Sequence, residues 1–374
     1  TKIQVCFVST NSICQGSQVP ILWNVLYKNY RIHINFAYQT FKWSSESSTQ
    51  AAVHCVIVGF AQFNREEKRL FSTEMTSKIV SNISPYLVEG SDTFVIAMKE
   101  SLDGMPKMNF GNQPRDGGYF VIKEEEYQEI MEKEPELKKW IHPYIGADEF
   151  IKGKKRWCLW LKHASPKEIM ASKILSEKVE KVRQFRLSSK AKTTNGYAKV
   201  QQLFAQITQP DDVDFLIIPS VSSERRRYVP IGFATQDIIS SNAVQIVPNA
   251  TLYHFGVLTS NVHMAWMRAV CGRLKSDYRY SKEIVYNTFP WPKPTEEQKI
   301  KIEQTAQMIL NAREQYSDCS LADMYGEKMY LFPELVKAHQ DNDRAVMQAY
   351  GFTKGSEAYK SEAACVAELM KLYQ

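Results

Sequence analysis

The sequence predicts an α+β multidomain protein: a strand-rich α/β segment, then a mixed α/β region, then a helical end. Three observations predict it. With 374 residues, the chain is too long for one compact core and suggests two or three domains. Residues 3–61 alternate strand-like and helix-like hydrophobic patterns. A proline-rich boundary, Phe289-Pro290-Trp291-Pro292-Lys293-Pro294, separates short turn-punctuated runs from a long helical periodicity.

The first segment opens on a mostly apolar run over residues 3–8, and Ser9-Thr10-Asn11-Ser12 supplies turn and cap chemistry. Val19, Leu22, Trp23 and Leu26 fall at helical spacing, with Pro20 tolerable only in the first turn. Arg31-Ile32-His33-Ile34-Asn35-Phe36 alternates with period two, and residues 53–60 form a further apolar run beyond a polar, serine-rich loop at 44–50. The order is strand, helix, strand, loop, strand: the back end of an α/β sheet. Three strands, one of them apolar on both faces, cannot cover themselves, so further strands are expected before residue 1. Residues 62–85 read as a charged connector. From Pro85 to Pro292, short β-like runs alternate with Gly/Asn turn clusters, with helices expected at about 124–134 and 166–186. The expected domains are 1–65, 66–292 and 293–374.

Composition excludes several classes. Hydrophobic content of 44% and charged content of 24% are ordinary for a soluble globular protein. No apolar run reaches the roughly 18 residues of a membrane span, and no basic-then-apolar signal peptide opens the chain. The seven cysteines (Cys6, Cys14, Cys55, Cys158, Cys271, Cys319, Cys365) lack C-x-x-C spacing, which points to a reducing compartment such as the cytoplasm and to no structural metal. His142, His163, His254 and His263 are isolated from one another, so structural roles are expected rather than ligation. Ser222 and Ser223 lack a G-x-S-x-G elbow, Asp211, Asp212 and Asp214 beside Pro210 read as a turn, and no P-loop is present. Net charge is only +6, yet residues 152–199 carry 14 Lys/Arg against Glu168, Glu177 and Glu180, a local +11 that leaves −5 for the rest. Such concentration suits a polyanion-binding face; a solvated basic surface is the equal alternative.

Longer blocks carry a resemblance. Ser9-Thr10-Asn11-Ser12-Ile13, Phe41-Lys42-Trp43-Ser44, Phe110-Gly111-Asn112, Arg156-Trp157-Cys158-Leu159-Trp160, Ser222-Ser223-Glu224-Arg225-Arg226, residues 272–281 and Phe289-Pro290-Trp291-Pro292 are similar to the C-terminal half of the MmeI-like (type IIG/IIL) restriction-modification enzymes, across essentially the whole chain. The resemblance implies a bacterial enzyme joining an adenine-N6 DNA methyltransferase to a target-recognition domain, usually with a nuclease upstream. Its fold here would be a partial class I methyltransferase sheet, a mixed α/β target-recognition domain and a C-terminal helical domain. The family's glycine-rich loop for S-adenosylmethionine and its Asn-Pro-Pro-Phe motif are both missing from this sequence. The resemblance places them upstream, so no catalytic residue and no cofactor is expected in this chain alone, with S-adenosylmethionine bound only by the full-length enzyme.

The partner this implies is double-stranded DNA, together with the preceding methyltransferase and possibly nuclease portions. A methyltransferase acting on a base in a duplex must extrude it and hold it by stacking. In similar enzymes an aromatic between the last two strands does this, which singles out Phe41 and Trp43, although both could simply cover the sheet edge. Base reading needs forked donors for guanine, amides for adenine and carboxylates for cytosine. Ser222, Ser223, Glu224, Arg225, Arg226 and Arg227 offer both signs between two apolar runs and are the candidate reading loop; an exposed basic turn with Glu224 paired to a neighbouring arginine is the alternative. Candidate phosphate contacts are Lys154, Lys155 and Arg156, Lys190 and Lys192 in a polar loop, and Arg273, Lys275 and Arg279, with Tyr278 and Tyr280 possible core residues among the last group. Two other functions stay open at this point: a stand-alone DNA-binding specificity subunit recruiting a separate methyltransferase or nuclease, and an interaction protein with no DNA role.

Overall fold

The computed structural model describes residues 3–43, 53–72 and 76–374. The first strand, β1 (Gln4–Thr10), ends at a 3-10 turn over Asn11–Cys14, and α1 (Gln18–Tyr30) follows. Pro20 sits in the first turn of α1, where a missing N–H costs nothing. Val19 and Trp23 bury the inner face, and the Trp23 indole donates to Ile13 O at 2.8 Å. Arg31 closes the helix at φ +51°. β2 (His33–Trp43) runs on to β3 (Val53–Ala61), which lies between β1 and β2 and antiparallel to both. β1 and β2 are therefore parallel, joined by the α1 crossover, with the third strand filling the slot between them.

Two features depart from the sequence reading. β2 does not end near Phe36; its register with β3 shifts between Ile34 and Phe36 and again between Tyr38 and Phe41. Such bulges break the period-two alternation, which is why the second half of the strand was invisible as one. The expected charged connector instead supplies β4 (Lys68–Phe71), parallel to β2, and β5 (Ser77–Val80), completing the order β1-β3-β2-β4-β5. Charge concealed β4: Lys68 is buried, and its ammonium is held by Asn82. At the other edge Ile3, Phe7 and Val8 of the β1 strand, with Ile21 of α1, stand exposed.

The central region contains β6 (Asn109–Phe110), β7 (Val121–Ile122), α2 (Glu124–Lys133), β8 (Ile141–Ile145), α3 (Ala147–Lys152) and β9 (Trp157–Leu159). It continues through α4 (Pro166–Ala171), α5 (Lys173–Ser188), α6 (Lys192–Gly196), β10 (Phe215–Pro219), β11 (Val221–Ser222), β12 (Gly232–Ala234), β13 (Ile239–Ser240) and β14 (Val244–Pro248). The helix expected at 166–186 breaks at Ser172, whose hydroxyl accepts from Leu175 N at 3.0 Å and restarts the helix as a new cap. Sheet β13-β8-β9-β7 packs with α5 around a core of its own that includes Phe120, Leu159, Trp160, Val182 and Phe204.

After β14 come α7 (Leu252–Leu258), α8 (Asn261–Val270), the hairpin β15 (Gly272–Leu274) and β16 (Asp277–Arg279), then the helical end: α9 (Glu296–Glu314), α10 (Leu321–Met324), α11 (Pro333–Ala349), α12 (Glu357–Lys360) and α13 (Glu362–Tyr373). Thr295 starts α9 with a capping box to Gln298, directly after the proline-rich boundary. This end shares its core with the first sheet. Val56, Val58 and Phe60 of β3, Val262 and Trp266 of α8, Ile302 of α9, Leu335 of α11 and Leu369 of α13 belong to one continuous apolar cluster. No helix among the described residues is long and apolar enough to cross a membrane.

Candidate nucleic-acid interface

β10 leaves its sheet at Pro219, and the chain is redirected by two backbone bonds: Ser220 N donates to Ala243 O at 3.1 Å, and Tyr280 N donates to Ser220 O at 2.9 Å. β11 then pairs antiparallel with β16, Val221 opposite Arg279 and Ser222 opposite Tyr278, and β16 pairs with β15. Residues 222–228 and 272–280, two separate candidates in the sequence, thus form one three-stranded sheet in the order β11-β16-β15.

The tip of the loop is a tight turn. Ser223 Oγ accepts from Arg225 N at 3.3 Å, and Ser223 O accepts from Arg226 N at 3.1 Å. Glu224, Arg225 and Arg227 are exposed, while Arg226 is half-buried, its guanidinium pKa lowered by burial against the favourable field of Asp277. Ser222 does not fit the role expected of it: it is buried in β11, so its hydroxyl faces inward, away from any base. Nor does Glu224 pair with a neighbouring arginine; Arg225 reaches Glu327 at 3.5 Å, and Arg227 lies over the Tyr228 ring at 5.4 Å.

On the hairpin, Lys275 occupies the turn at φ +58° and is exposed, as is Arg279. Arg273 lies flat over Tyr278 at 3.9 Å and donates to Ser276 O at 2.9 Å. Tyr278 and Tyr280 are core. The Tyr280 hydroxyl meets His263 Nε2 at 2.9 Å, and burial alone pushes the His263 pKa down to about 3, so the ring is neutral. The other three histidines singled out in the sequence each meet one polar group: His142 Asp237 O, His163 Asp211, and His254 Thr251.

The hairpin abuts the first sheet. A Cβ built on Gly16 would lie 3.3 Å from the Gly272 backbone, and Gly16 has φ +53°, so a glycine at position 16 permits this approach. A cavity of about 380 Å³ opens beside it, lined by Ser12, Gln15, Val53, His54, Arg273 and Lys275 among others. Val53 and His54 pair with Trp43 and Lys42. Phe41 and Trp43 are therefore not loop residues but the last same-face positions of β2, rings 6.4 Å apart, with Trp43 48% exposed. Residues 44–50 lie outside the described residues.

Half of the basic segment's cations are ion-paired. Lys152 and Lys154 pair with Asp148, Arg156 with Glu149 at 2.8 Å, Lys162 with Asp211, Lys173 with Glu177, Lys178 with Glu126 and Arg183 with Glu180. Arg186 is buried and spends its guanidinium on backbone carbonyls. Among the described residues Lys155, Lys167, Lys181, Lys190, Lys192 and Lys199 remain exposed without an ion pair. Lys192 begins α6 rather than lying in a loop. These lysines belong to the lobe with the separate core, not to the three-stranded sheet.

Sequence reasoning missed a groove of about 630 Å³ lined by Asn109, Phe110, Gln113, Gln206, Asn242 and Lys282 among others. It adjoins the three-stranded sheet through the Ser220–Ala243 bond, and Lys282 Nζ stands 5.5 Å from the Phe110 ring. Its amides come from three segments far apart in the chain, so no local pattern announces them.

Similarity to known proteins gives the class first. Residues 1–72 match the MmeI DNA-methyltransferase domain, residues 89–293 the MmeI target recognition domain, and residues 294–374 the MmeI C-terminal domain. The fold and site are those of a DNA-methyltransferase-related protein with a target-recognition region. Over all of this chain it is 44% identical to the type IIL restriction-modification enzyme MmeI, solved in complex with DNA, with a TM-score of 0.91 and 49% of that chain covered. It is also 39% identical over 374 residues to DNA methyltransferase A of Bacillus subtilis (strain 168), covering 42% of that protein. The chain belongs to the MmeI family of restriction-modification enzymes, and it spans less than half the length of these relatives.

Proposed function

We propose that this chain is the sequence-specific DNA-recognition portion of an adenine-N6 DNA methyltransferase. The observation that carries the proposal is the three-stranded sheet, which mounts the Glu224, Arg225 and Arg227 tip beside Lys275 and Arg279 and abuts the strand end bearing Phe41 and Trp43. Lys275, Arg279 and Arg273 contact phosphates and set the register, helped from the other lobe by Lys155, Lys190 and Lys192. Glu224 accepts from a cytosine amine, or the arginines donate to guanine, in the major groove. An extruded adenine stacks on Trp43 or Phe41. Lys154 and Arg156, each already paired with a carboxylate, contribute less.

S-adenosylmethionine does not fit the residues present. The sequence has no G-x-G loop, and the cavity at the end of the first sheet has no carboxylate to receive a ribose. Methyl transfer is assigned to a preceding portion, seated on the exposed apolar edge of β1 and α1.

The test uses the full-length enzyme, with methylated sites mapped by sequencing. Exchanging the charges at Glu224 and Arg226 should change or relax the motif at one or more positions. Lys155→Ala should weaken binding to all sequences alike and lower the slope of log affinity against log salt by about 1. An unchanged motif and affinity in the exchange variant would place the reading loop elsewhere.

A further inference from the structure

We infer that the helices behind the DNA-reading loop position it, with Asp343 of the C-terminal helical region and Arg268 of α8 as positioning residues for sequence specificity; this rests on the reading of residues 223–227 as the base-contacting tip. The loop is unusual in how its two halves are held. Among the described residues its tip has a single ion pair outside itself, and that pair, Arg225 with Glu327, comes from the helical region. Below the tip lies a cavity of about 540 Å³ whose lining includes Arg226, Asn261, Lys360 and Glu362. The returning stem, by contrast, is tied to the helices at several polar groups.

Arg268 donates to Arg227 O at 3.0 Å, and its guanidinium is itself oriented by a two-pronged pair with Glu362 of α13, 2.8 Å on each arm. The Tyr228 hydroxyl donates to Asp343 Oδ2 of α11 at 2.7 Å, while Asp343 Oδ1 accepts from Asn261 N at 2.8 Å. The Tyr228 ring stacks on His339 of α11, centroids 4.1 Å apart. Three residues further on, Arg313 of α9 donates to Ile231 O at 2.7 Å. Helices α8, α9 and α11 thus converge on residues 227–231.

Base readout needs donors and acceptors held to a fraction of an ångström. A stem whose carbonyls and hydroxyl are bound to a rigid, buried frame transmits that frame's position to Glu224–Arg227 side chains two to four residues away. Losing Asp343 strands the buried Tyr228 hydroxyl and the part-buried Asn261 N–H together, and the stem can recover a partner for Tyr228 only by moving. The tip then moves with it, while phosphate contacts made from the hairpin and from the other lobe stay in place. The expected signature is loss of discrimination rather than loss of binding.

The experiment compares full-length enzymes carrying Asp343→Ala, Asp343→Asn or Tyr228→Phe with the parent. Methylation of a randomised-site DNA library is read by sequencing, and folding is checked by thermal denaturation. Asp343→Ala should cut discrimination tenfold or more at the same motif positions that the Glu224/Arg226 exchange alters, leaving other positions unchanged. Asp343→Asn, which keeps one acceptor, should fall between it and the parent. Tyr228→Phe keeps the ring stack and loses only the hydroxyl, so it carries the test if Asp343→Ala does not fold. Lower methylation at every sequence with an unchanged motif overturns the inference and leaves these contacts structural. If the Glu224/Arg226 exchange leaves the motif intact, the loop reading itself fails, and this inference with it.

Discussion

Arg186 shows how a single residue can change its meaning between sequence and structure. It contributes to the +11 of the basic segment, yet its guanidinium is enclosed and donates to five carbonyls: Pro114, Arg115, Tyr197, Val200 and Leu203, at 2.7 to 3.0 Å. Those carbonyls flank the segment carrying Lys190 and Lys192. The fork of five donors suits this task, whereas lysine's point-like ammonium does not. Arg186→Met should destabilise the protein by about 3–5 kcal/mol, since breaking a buried charged network strands its partners. Arg186→Lys should recover only part of that loss. Chemical denaturation checks both, and a Met variant as stable as the parent would show that the carbonyls find other donors.

At the scale of elements, glycines decide which strands can meet. A Cβ on Gly111 would lie 2.1 Å from Ser241 O. That contact closes the turn by which β6 reaches β14 and Asn112 N reaches Ser240 O at 2.8 Å. Gly111→Ala should cost roughly 3 kcal/mol, the upper range for overpacking. Gly196, at the end of α6, is a contrasting case: a Cβ there meets nothing within 4 Å. Gly196→Ala should be neutral or add up to about 1 kcal/mol by helix propensity. Denaturation of the two variants side by side tests the opposed signs, and a destabilised Gly196→Ala would contradict the open space beside it.

Three buried titratable groups contribute to the acid response with opposed signs. His263 (pushed down to about 3) and His339 are kept neutral by burial. Unfolded histidines take up protons below about pH 6.5, so acidification withdraws stability at both. Asp343 works in the opposite direction. Burial raises it to about 6, against the pull of the Tyr228 hydroxyl, Asn261 N, Arg227 and Arg268. Between pH 6 and 4 the folded protein therefore binds a proton that the unfolded chain does not, which returns stability as pH falls. Asp343→Asn removes that offset. Its stability relative to the parent should fall by about 1.4 kcal/mol per pH unit from 6 to 4. Urea unfolding at pH 6, 5 and 4 measures it, and a pH-independent difference would mean that Asp343 is already ionised when folded.

Much of the molecule was legible locally. Hydrophobic period, caps and proline placement marked β1, α1, β3, α2 and α9, because those signals depend on neighbours in the chain. The residue blocks from 9–13 to 289–292 carried the family. The loop at 223–227 was conspicuous for mixed charge between apolar runs. What the sequence could not express is which distant segments meet. Bulges extended β2 through Phe41 and Trp43, buried Lys68 disguised β4, and acids outside the basic segment, such as Asp148, Glu126 and Asp211, pair with five of its cations. By itself the sequence determined the α+β class, the helical end and the family. Only the tertiary structure decided that the loop and the basic hairpin form one sheet, and that helices from the far end hold its stem. Register, burial and charge pairing arise from contacts between residues far apart in the chain, and composition and periodicity carry no record of those.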